Sequence, residues 1–339
     1  MITATAPGKA LLSGEYAVLE GAPAIVAAID RRARVTVAES HDERHSLSTR
    51  GYLEGTWHFR LSECGALEWL EPLPGPAAFA LIEKIWESFP AVRWPSLSVL
   101  IDTREFYDGT SGLKLGLGSS AAVAVALTAA LQGFSSMDAQ PDRLAFDAHR
   151  RFQGGRGSGA DIAASIHGGV IEYRRAAAES SPRYWPVNID YRFLWSGQPA
   201  ASPGKLAELA ARRGQNEDDG CMTLLRDGAE NVAAAWSLGD GSHIVDALRN
   251  YVAALRRFNV NLDLGIFDAG HEQLADLAAD SGIVYKPCGA GGGDIGIAVA
   301  ESKSAVGAFC DRADQLGFGV LDIRVDNQGV LTKVRQDIE

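Results

Sequence analysis

Residues 114 to 122 read Lys-Leu-Gly-Leu-Gly-Ser-Ser-Ala-Ala and run directly into a stretch of Ala, Val and Leu. A stretch that apolar on every side is a buried helix, so the chain must carry a tight turn that enters a core at a helix N-terminus. Gly116 and Gly118 allow the backbone to turn sharply and to approach a bulky anion. Ser119 and Ser120 fall at the helix start, where unpaired N–H groups and the dipole favour negative charge. The arrangement suits a phosphate seat. It equally suits a glycine turn with Ser119 as N-cap and no ligand. The strict G-x-x-x-x-G-K-[ST] loop is absent, because no Lys follows Gly116 or Gly118. The looser G-x-G-x-x-A dinucleotide pattern fits the letters but lacks the preceding strand.

Three further elements bear on the same chemistry. In Gly157-Ser158-Gly159-Ala160-Asp161 an acid follows glycines at the head of an apolar helix. There it can orient an acceptor hydroxyl and take its proton during phosphoryl transfer, or simply sit on the helix dipole. Lys9, after Pro7-Gly8, is either a turn lysine in solvent or a cation that neutralises a transferring phosphoryl group. Residues 286–294, Lys-Pro-Cys-Gly-Ala-Gly-Gly-Gly-Asp, place three consecutive glycines between two expected strands, which suits close approach of backbone to a ligand or another loop. His149 and Gln153 lie four apart on one helix face just before the Asp161 turn. That spacing suits a packed, hydrogen-bonded pair better than a hold on water or metal.

Composition narrows the remaining classes. A net charge of −11 opposes a nucleic-acid or membrane-surface footprint, so an anionic ligand must be held by local groups. The four cysteines, at 64, 221, 288 and 310, lack Cys-x-x-Cys spacing, and His271-Glu272 lacks a second His four residues after the first. Neither a disulfide framework nor a transition-metal site is expected. The amino terminus shows no basic stretch followed by an apolar one, and the Ala-rich run after Ser119 is too short to span a bilayer. A cytoplasmic protein is expected. The tryptophans lack the spacing of a base-stacking platform.

The expected organisation is α+β. Strands are expected at 2–6, 15–19, 24–30 and 33–39, an exposed hairpin or loop at 40–56, a helix at 79–88 and a strand at 97–102. Helices follow at 119–131 and 142–153, a strand at 170–174 and a loop at 176–182. The carboxy-terminal half is expected to hold a strand at 191–195, helices near 204–212, 222–237, 242–257 and 266–281, strands at 283–286 and 295–299, a helix at 304–316 and two strands within 319–334. The seam between two domains falls within 176–200.

Taken together, these elements resemble the GHMP kinases, the family of galactokinase, homoserine kinase and mevalonate kinase. Its three motifs occur in order: Ala6-Pro7-Gly8-Lys9 with Gly14-Glu15-Tyr16, Gly116 through Ala122, and Gly289 through Asp294. The resemblance implies a two-domain fold: an amino-terminal α/β domain with a left-handed βαβ unit (1–185) and a ferredoxin-like carboxy-terminal domain (186–339). It implies ATP and Mg2+ in the cleft between them. Within the family the chain resembles the phosphomevalonate kinases, on Gly14 through Glu20, Lys114-Leu115, Gln153 through Ala164, and Trp195 through Ser202. Tyr16 stands where mevalonate kinases usually carry His.

Carried over by position, the resemblance makes Asp161 the catalytic carboxylate and Lys9 its partner. Lys114, Gly116, Leu117, Gly118, Ser119, Ser120 and Ala121 would hold the nucleotide, with Ser120 also on the metal. Tyr16, Ser158, Ser202, Gly291 and Gly292 would face the acceptor. Two departures stand out: the proline that often opens the second motif is missing, and Arg150 stands near the position of an acidic metal ligand. The implied reaction is ATP-dependent phosphorylation of mevalonate 5-phosphate. The alternatives are mevalonate or another small metabolite as acceptor and, more remotely, an idle ATP-binding regulator. The expected partners are a small-molecule acceptor, with no nucleic acid and no membrane, and the chain acts as monomer or homodimer.

Overall fold

The computed structural model describes residues 1–62, 65–75, 77–89, 94–135, 141–200, 202–213 and 220–335, without the side chains of 202, 203, 206 and 213. The amino-terminal half comprises β1 (Ile2–Ser13), β2 (Ala24–Glu39), β3 (His45–Arg50), β4 (Gly55–Leu61), β5 (Leu67–Trp69), α1 (Ala80–Trp86), β6 (Leu97–Asp102), α2 (Ser119–Ser135), α3 (Pro141–Phe152), α4 (Ala160–His167), β7 (Val170–Arg174) and β8 (Glu179–Arg183). There follow β9 (Asp190–Trp195), α5 (Ser202–Arg213), α6 (Cys221–Leu238), α7 (Gly241–Leu262), α8 (His271–Asp280), β10 (Val284–Pro287), β11 (Ile295–Ala300), α9 (Lys303–Gln315), β12 (Gly319–Leu321) and β13 (Leu331–Val334).

The long strand β2 organises the first sheet. Its opening run, Ala24 to Ile29, is apolar at every position and buried on both faces. From Ala33 to Val37 it alternates, so only every second residue enters the core. The first part pairs with β7, the second with β6, and β1 runs antiparallel along both. The sheet continues from β6 through β3 and β4 to β5. β3 and β6 are its parallel pair, joined through β4, β5 and α1. Such a pair needs a long crossover, which α1 supplies.

α2 lies inside this half, packed on β1 and β2 and against α1, α3 and α4. Residues 121 to 131 are all buried, which only small and aliphatic side chains permit between a sheet and a helical layer.

The second sheet has the order β10-β11-β9-β12, with every pairing antiparallel. Helices α5–α8 connect β9 to β10, and α9 connects β11 to β12. That β-α-β-β-α-β path with this strand order is the ferredoxin-like arrangement. The sheets change over between β8 and β9. Residues 331–334, within the stretch 186–339 expected to form the second domain, pair with β1 of the first sheet. Arg32 fastens this return through the Asp326 carboxylate, Gln328 O at 3.0 Å and Gly329 O at 2.6 Å.

Several expected elements are corrected. The strand expected at 15–19 is a short 3-10 turn, Ala17–Glu20, bracketed by Gly14 and Gly21 at φ 94° and 90°. The strands expected at 24–30 and 33–39 are one strand. The exposed hairpin or loop expected at 40–56 is a hairpin of β3 and β4 whose Leu47 and Thr49 are buried rather than exposed, and the loop expected at 176–182 contains β8, paired with β7. β8 is a sheet edge whose polar side chains stay largely outside, whereas β3 lies between β6 and β4 and turns Leu47 and Thr49 inward. Cys221, Cys288 and Cys310 are buried thiols, and Cys64 lies outside the described residues.

Candidate active site

Lys9 is where the glycine turns meet. Its backbone N–H donates to Leu117 O at 2.9 Å, tying β1 to the turn before α2. Its stem fills the place a side chain would take at Gly118, with Cγ 3.0 Å from an ideal Cβ there, and Gly118 has φ +79°. Its Nζ lies 3.7 Å from the same point on Gly289, in the turn between β10 and β11. One lysine therefore contacts both the second and third motifs. The lack of a Cβ at Gly118 is what admits its stem.

The second and third turns also touch directly. A Cβ on Gly116, φ +78°, would overlap the Asp294 side chain. Asp294 is itself left-handed at φ 58°, and its Oδ1 accepts from Ala200 N at 2.9 Å. Burial pushes its carboxyl above the usual range, opposed by the Ala200 bond and by Lys9 and Lys114. Lys114 is exposed as a residue, but desolvation of its ammonium lowers its pKa, with Lys9 adding repulsion and Asp294 opposing both. Two cations and one half-buried carboxyl thus surround the turn that opens α2. Nothing in the spacing of 286–294 singles Asp294 out; the glycines before it are the more visible signal.

Ser120 stands on the first turn of α2. Its Oγ is 3.2 Å from His149 Nε2, and that nitrogen is 3.9 Å from Asp161 Oδ2. Asp161 sits on the first turn of α4, its Oδ1 accepting from Ile162 N at 3.0 Å. Four residues on, Ser165 Oγ donates to Pro7 O at 2.8 Å and fastens α4 beside β1 two residues before Lys9. Among the described residues Lys9 makes no ion pair with Asp161 within 4 Å; the carboxylate's charged-type neighbour is His149. Arg150 is exposed. The residue of α3 that faces the site is His149, and its partner is Ser120 rather than Gln153, whose amide instead lies against Gly157.

The expected acceptor-side residues divide. Tyr16, at φ 60°, donates from its hydroxyl to Ala290 O at 2.6 Å and leans on Phe258, and burial raises its pKa well above the ordinary value. Ser158 Oγ accepts from Ala160 N at 3.2 Å, and the residue lines a cavity of about 1080 Å3 with Arg143, Arg150 and Arg175. Gly291 and Gly292 pack on the turn at 265–266, and Gly292 N–H already donates to Ile266 O at 2.8 Å. Ser202 opens α5, and its side chain lies outside the described residues.

A buried network behind the site carries signals that the sequence pattern hid. Glu15 and Lys286 are 1% exposed and paired through Glu15 Oε1, which also faces Gly289 N at 3.4 Å. Tyr251 donates to Glu15 Oε2 at 2.8 Å and accepts from Gly14 N at 2.9 Å, while Lys286 also donates to Leu11 O and Pro287 O at 3.2 and 2.8 Å. Every polar group has a partner, which is what makes two buried charges tolerable. His271 supports the third turn from the other side, bonded to Gly293 O at 3.0 Å and Tyr285 Oη at 2.7 Å. Burial lowers its pKa to about 4. Burial also pushes the Cys288 thiol up to about 11, which keeps it protonated.

The lysine packed between two glycine turns is tied through β1 to α4, whose Asp161 neighbours the His149 that bonds Ser120. The family description "GHMP kinases N terminal domain" matches residues 97–169, which hold the turn, α2, α3 and α4. A mevalonate kinase of Methanothermobacter thermautotrophicus is 33% identical, over 91% of this chain and 90% of its own length. The chain belongs to the GHMP kinases. A phosphomevalonate kinase of a Streptomyces species is 29% identical, over 88% of this chain and 90% of its own. The fold matches Streptococcus pneumoniae phosphomevalonate kinase, solved with phosphomevalonate and AMPPNP, at a TM-score of 0.77 and 20% identity, covering 96% of this chain and all of that one.

GHMP kinases are ATP-dependent. The hydroxyl oxygen of Ser120 suits Mg2+, which takes few protein ligands and keeps water and phosphate oxygens for the rest. Among the described residues no group of three or more His, Cys, Asp and Glu is gathered to hold a metal alone. No helix among them is long and apolar enough to cross a membrane.

Proposed function

We propose that this GHMP kinase transfers the γ-phosphoryl group of ATP to the phosphate of mevalonate 5-phosphate, giving the diphosphate and ADP. The observation that carries the reading is the convergence on Lys9 of the turns at Gly118 and Gly289, with Ser120 and Asp161 joined through His149 alongside. The acceptor is favoured by the near full-length likeness to the Streptomyces phosphomevalonate kinase and by Tyr16 in the first motif.

In this reading residues 114 to 121 hold the nucleotide phosphates on backbone N–H groups and the α2 dipole, and Lys114 and Lys9 supply positive charge. Mg2+ would supply charge neutralisation on the phosphate oxygens, with Ser120 as its protein ligand. An acceptor phosphate oxygen attacks the γ-phosphorus as the bond to the β,γ-bridging oxygen breaks, and ADP leaves with the electron pair. The attacking oxygen is already ionised, so no strong base is needed. Asp161 and Lys9 orient the acceptor and balance charge. Tyr16, Ser158, Ser202, Gly291 and Gly292 frame the acceptor side. The domains divide near residue 185, with β13 returning to the first.

A second reading, mevalonate as acceptor, is favoured by the higher identity to the Methanothermobacter enzyme. Incubation with Mg2+–ATP and mevalonate, mevalonate 5-phosphate, homoserine or galactose, following ADP, separates them. Fastest release with mevalonate 5-phosphate is expected. Release with mevalonate alone supports the second reading, and none with any acceptor removes both. Asp161→Asn is expected to lower turnover about 10²–10⁴-fold with a hydroxyl acceptor and less with a phosphate one.

A further inference from the structure

On α3 only Ala145, Ala148 and His149 are buried, and His149 is the polar member, 1% exposed. An imidazole is costly to bury unless its nitrogens find partners. Its Nε2 finds Ser120 Oγ at 3.2 Å, and Asp161 Oδ2 stands just beyond at 3.9 Å. The second separation is too long for a hydrogen bond, so the bond goes to the hydroxyl.

A serine hydroxyl has one proton and two lone pairs, and the partner that takes the proton decides what remains for a cation. We propose that His149 is a positioning residue: Nε2 accepts the Ser120 proton, leaving the oxygen's lone pairs for the cation that accompanies the nucleotide, and the ring spaces Ser120 from Asp161 without adding negative charge. The inference rests on the phosphoryl-transfer reading above. Imidazole carries no negative charge in either protonation state. A carboxylate at the same place would stand about 4 Å from Asp161. It would oppose an acceptor that is itself an anion more than a neutral hydroxyl.

The test uses the whole protein with AMPPNP and Mn2+, reading free Mn2+ by electron paramagnetic resonance without acceptor. His149→Gln, whose amide can reach the Nε2 position, is expected to bind Mn2+ within about threefold of the parent, and His149→Leu at least about tenfold more weakly. AMPPNP affinity without metal should be the same in all three. Equal Mn2+ binding by His149→Leu and the parent would overturn the proposal, leaving His149 as packing. Should His149→Leu not fold, His149→Ala decides, alone and with Ser120→Ala. A loss of Mn2+ affinity that appears alone and vanishes in the Ser120→Ala background is expected, and no loss alone, or the same loss in both backgrounds, overturns it.

His149→Glu adds an acceptor readout. Its kcat/KM for mevalonate 5-phosphate should fall at least about tenfold more than for mevalonate, and an equal fall would remove the charge argument. The Mn2+ measurement needs no acceptor. A parent that binds Mn2+–AMPPNP as described but phosphorylates nothing would sink the functional reading and spare His149, whereas a parent that does not bind it overturns both.

Discussion

Lys9 and Lys286 lie at two ends of one contact between β1 and the third glycine turn, and their surroundings are opposite. Lys286 is sealed: a carboxylate and two backbone carbonyls take its protons, and 1% of it is exposed. Lys9 has its stem packed on Gly118 and its ammonium beside Gly289, with no ion pair to a carboxylate within 4 Å among the described residues. A lysine that holds a protein together is saturated by that protein. One kept for a ligand is fixed by its stem and left with hydrogen-bonding capacity at its head.

The contrast predicts opposite phenotypes. Lys286→Met strands the Glu15 charge and is expected to cost about 3–5 kcal/mol, read as a fall in thermal midpoint of more than about 5 °C. A melt unchanged in this variant would break the comparison. Lys9→Met should lower kcat about 10²–10³-fold while shifting stability by less than about 1 kcal/mol. Loss of folding with retained specific activity would reverse the two assignments.

The first of these residues was legible and the second was not. Lys9, Ser120 and Asp161 announce themselves because each sits beside glycines at the start or end of an element, a local pattern that survives in one dimension. Glu15, Lys286 and Tyr251 come from three distant segments, and only the fold shows that their charges and hydroxyl meet. His149 was visible as a helix residue. The i,i+4 spacing points to Gln153 as its partner, whereas the tertiary neighbour is Ser120. The same logic explains the fold. α2 is a continuous apolar run, and β6 and β7 are short apolar runs between breakers, so their letters mark them, but the 3-10 turn at Ala17–Glu20 depends on left-handed Gly14, Tyr16 and Gly21, which apolar letters disguise as a strand.

The third turn offers a pH test of the sealed side. His271 has its folded pKa lowered from 6.5 to about 4, so the unfolded chain binds the proton more readily. Its contribution to stability is present above pH 6.5 and is lost as pH falls toward 4, by up to about 3 kcal/mol. His271→Gln should flatten that limb of the pH–stability curve, measured by urea denaturation; an unaltered limb would place acid sensitivity elsewhere.

The smallest effect sharpens the open side. Asp294 has its folded pKa raised by burial, so its ionisation weakens the fold as pH rises from 3.8 through that raised value. Asp294→Asn keeps an oxygen for Ala200 N and is expected to raise the ligand-free thermal midpoint at neutral pH by about 2 °C. A lower midpoint would show that the carboxylate supports Lys9 and Lys114 more than its burial costs.

The most direct test of the account is a crystal structure with AMPPNP and mevalonate 5-phosphate bound. The account predicts the γ-phosphate on the N–H groups of residues 118–120, within hydrogen-bond reach of Lys9 Nζ, with the acceptor phosphate between it and Asp161. A nucleotide seated away from this turn, or a γ-phosphate out of reach of Lys9, would contradict it.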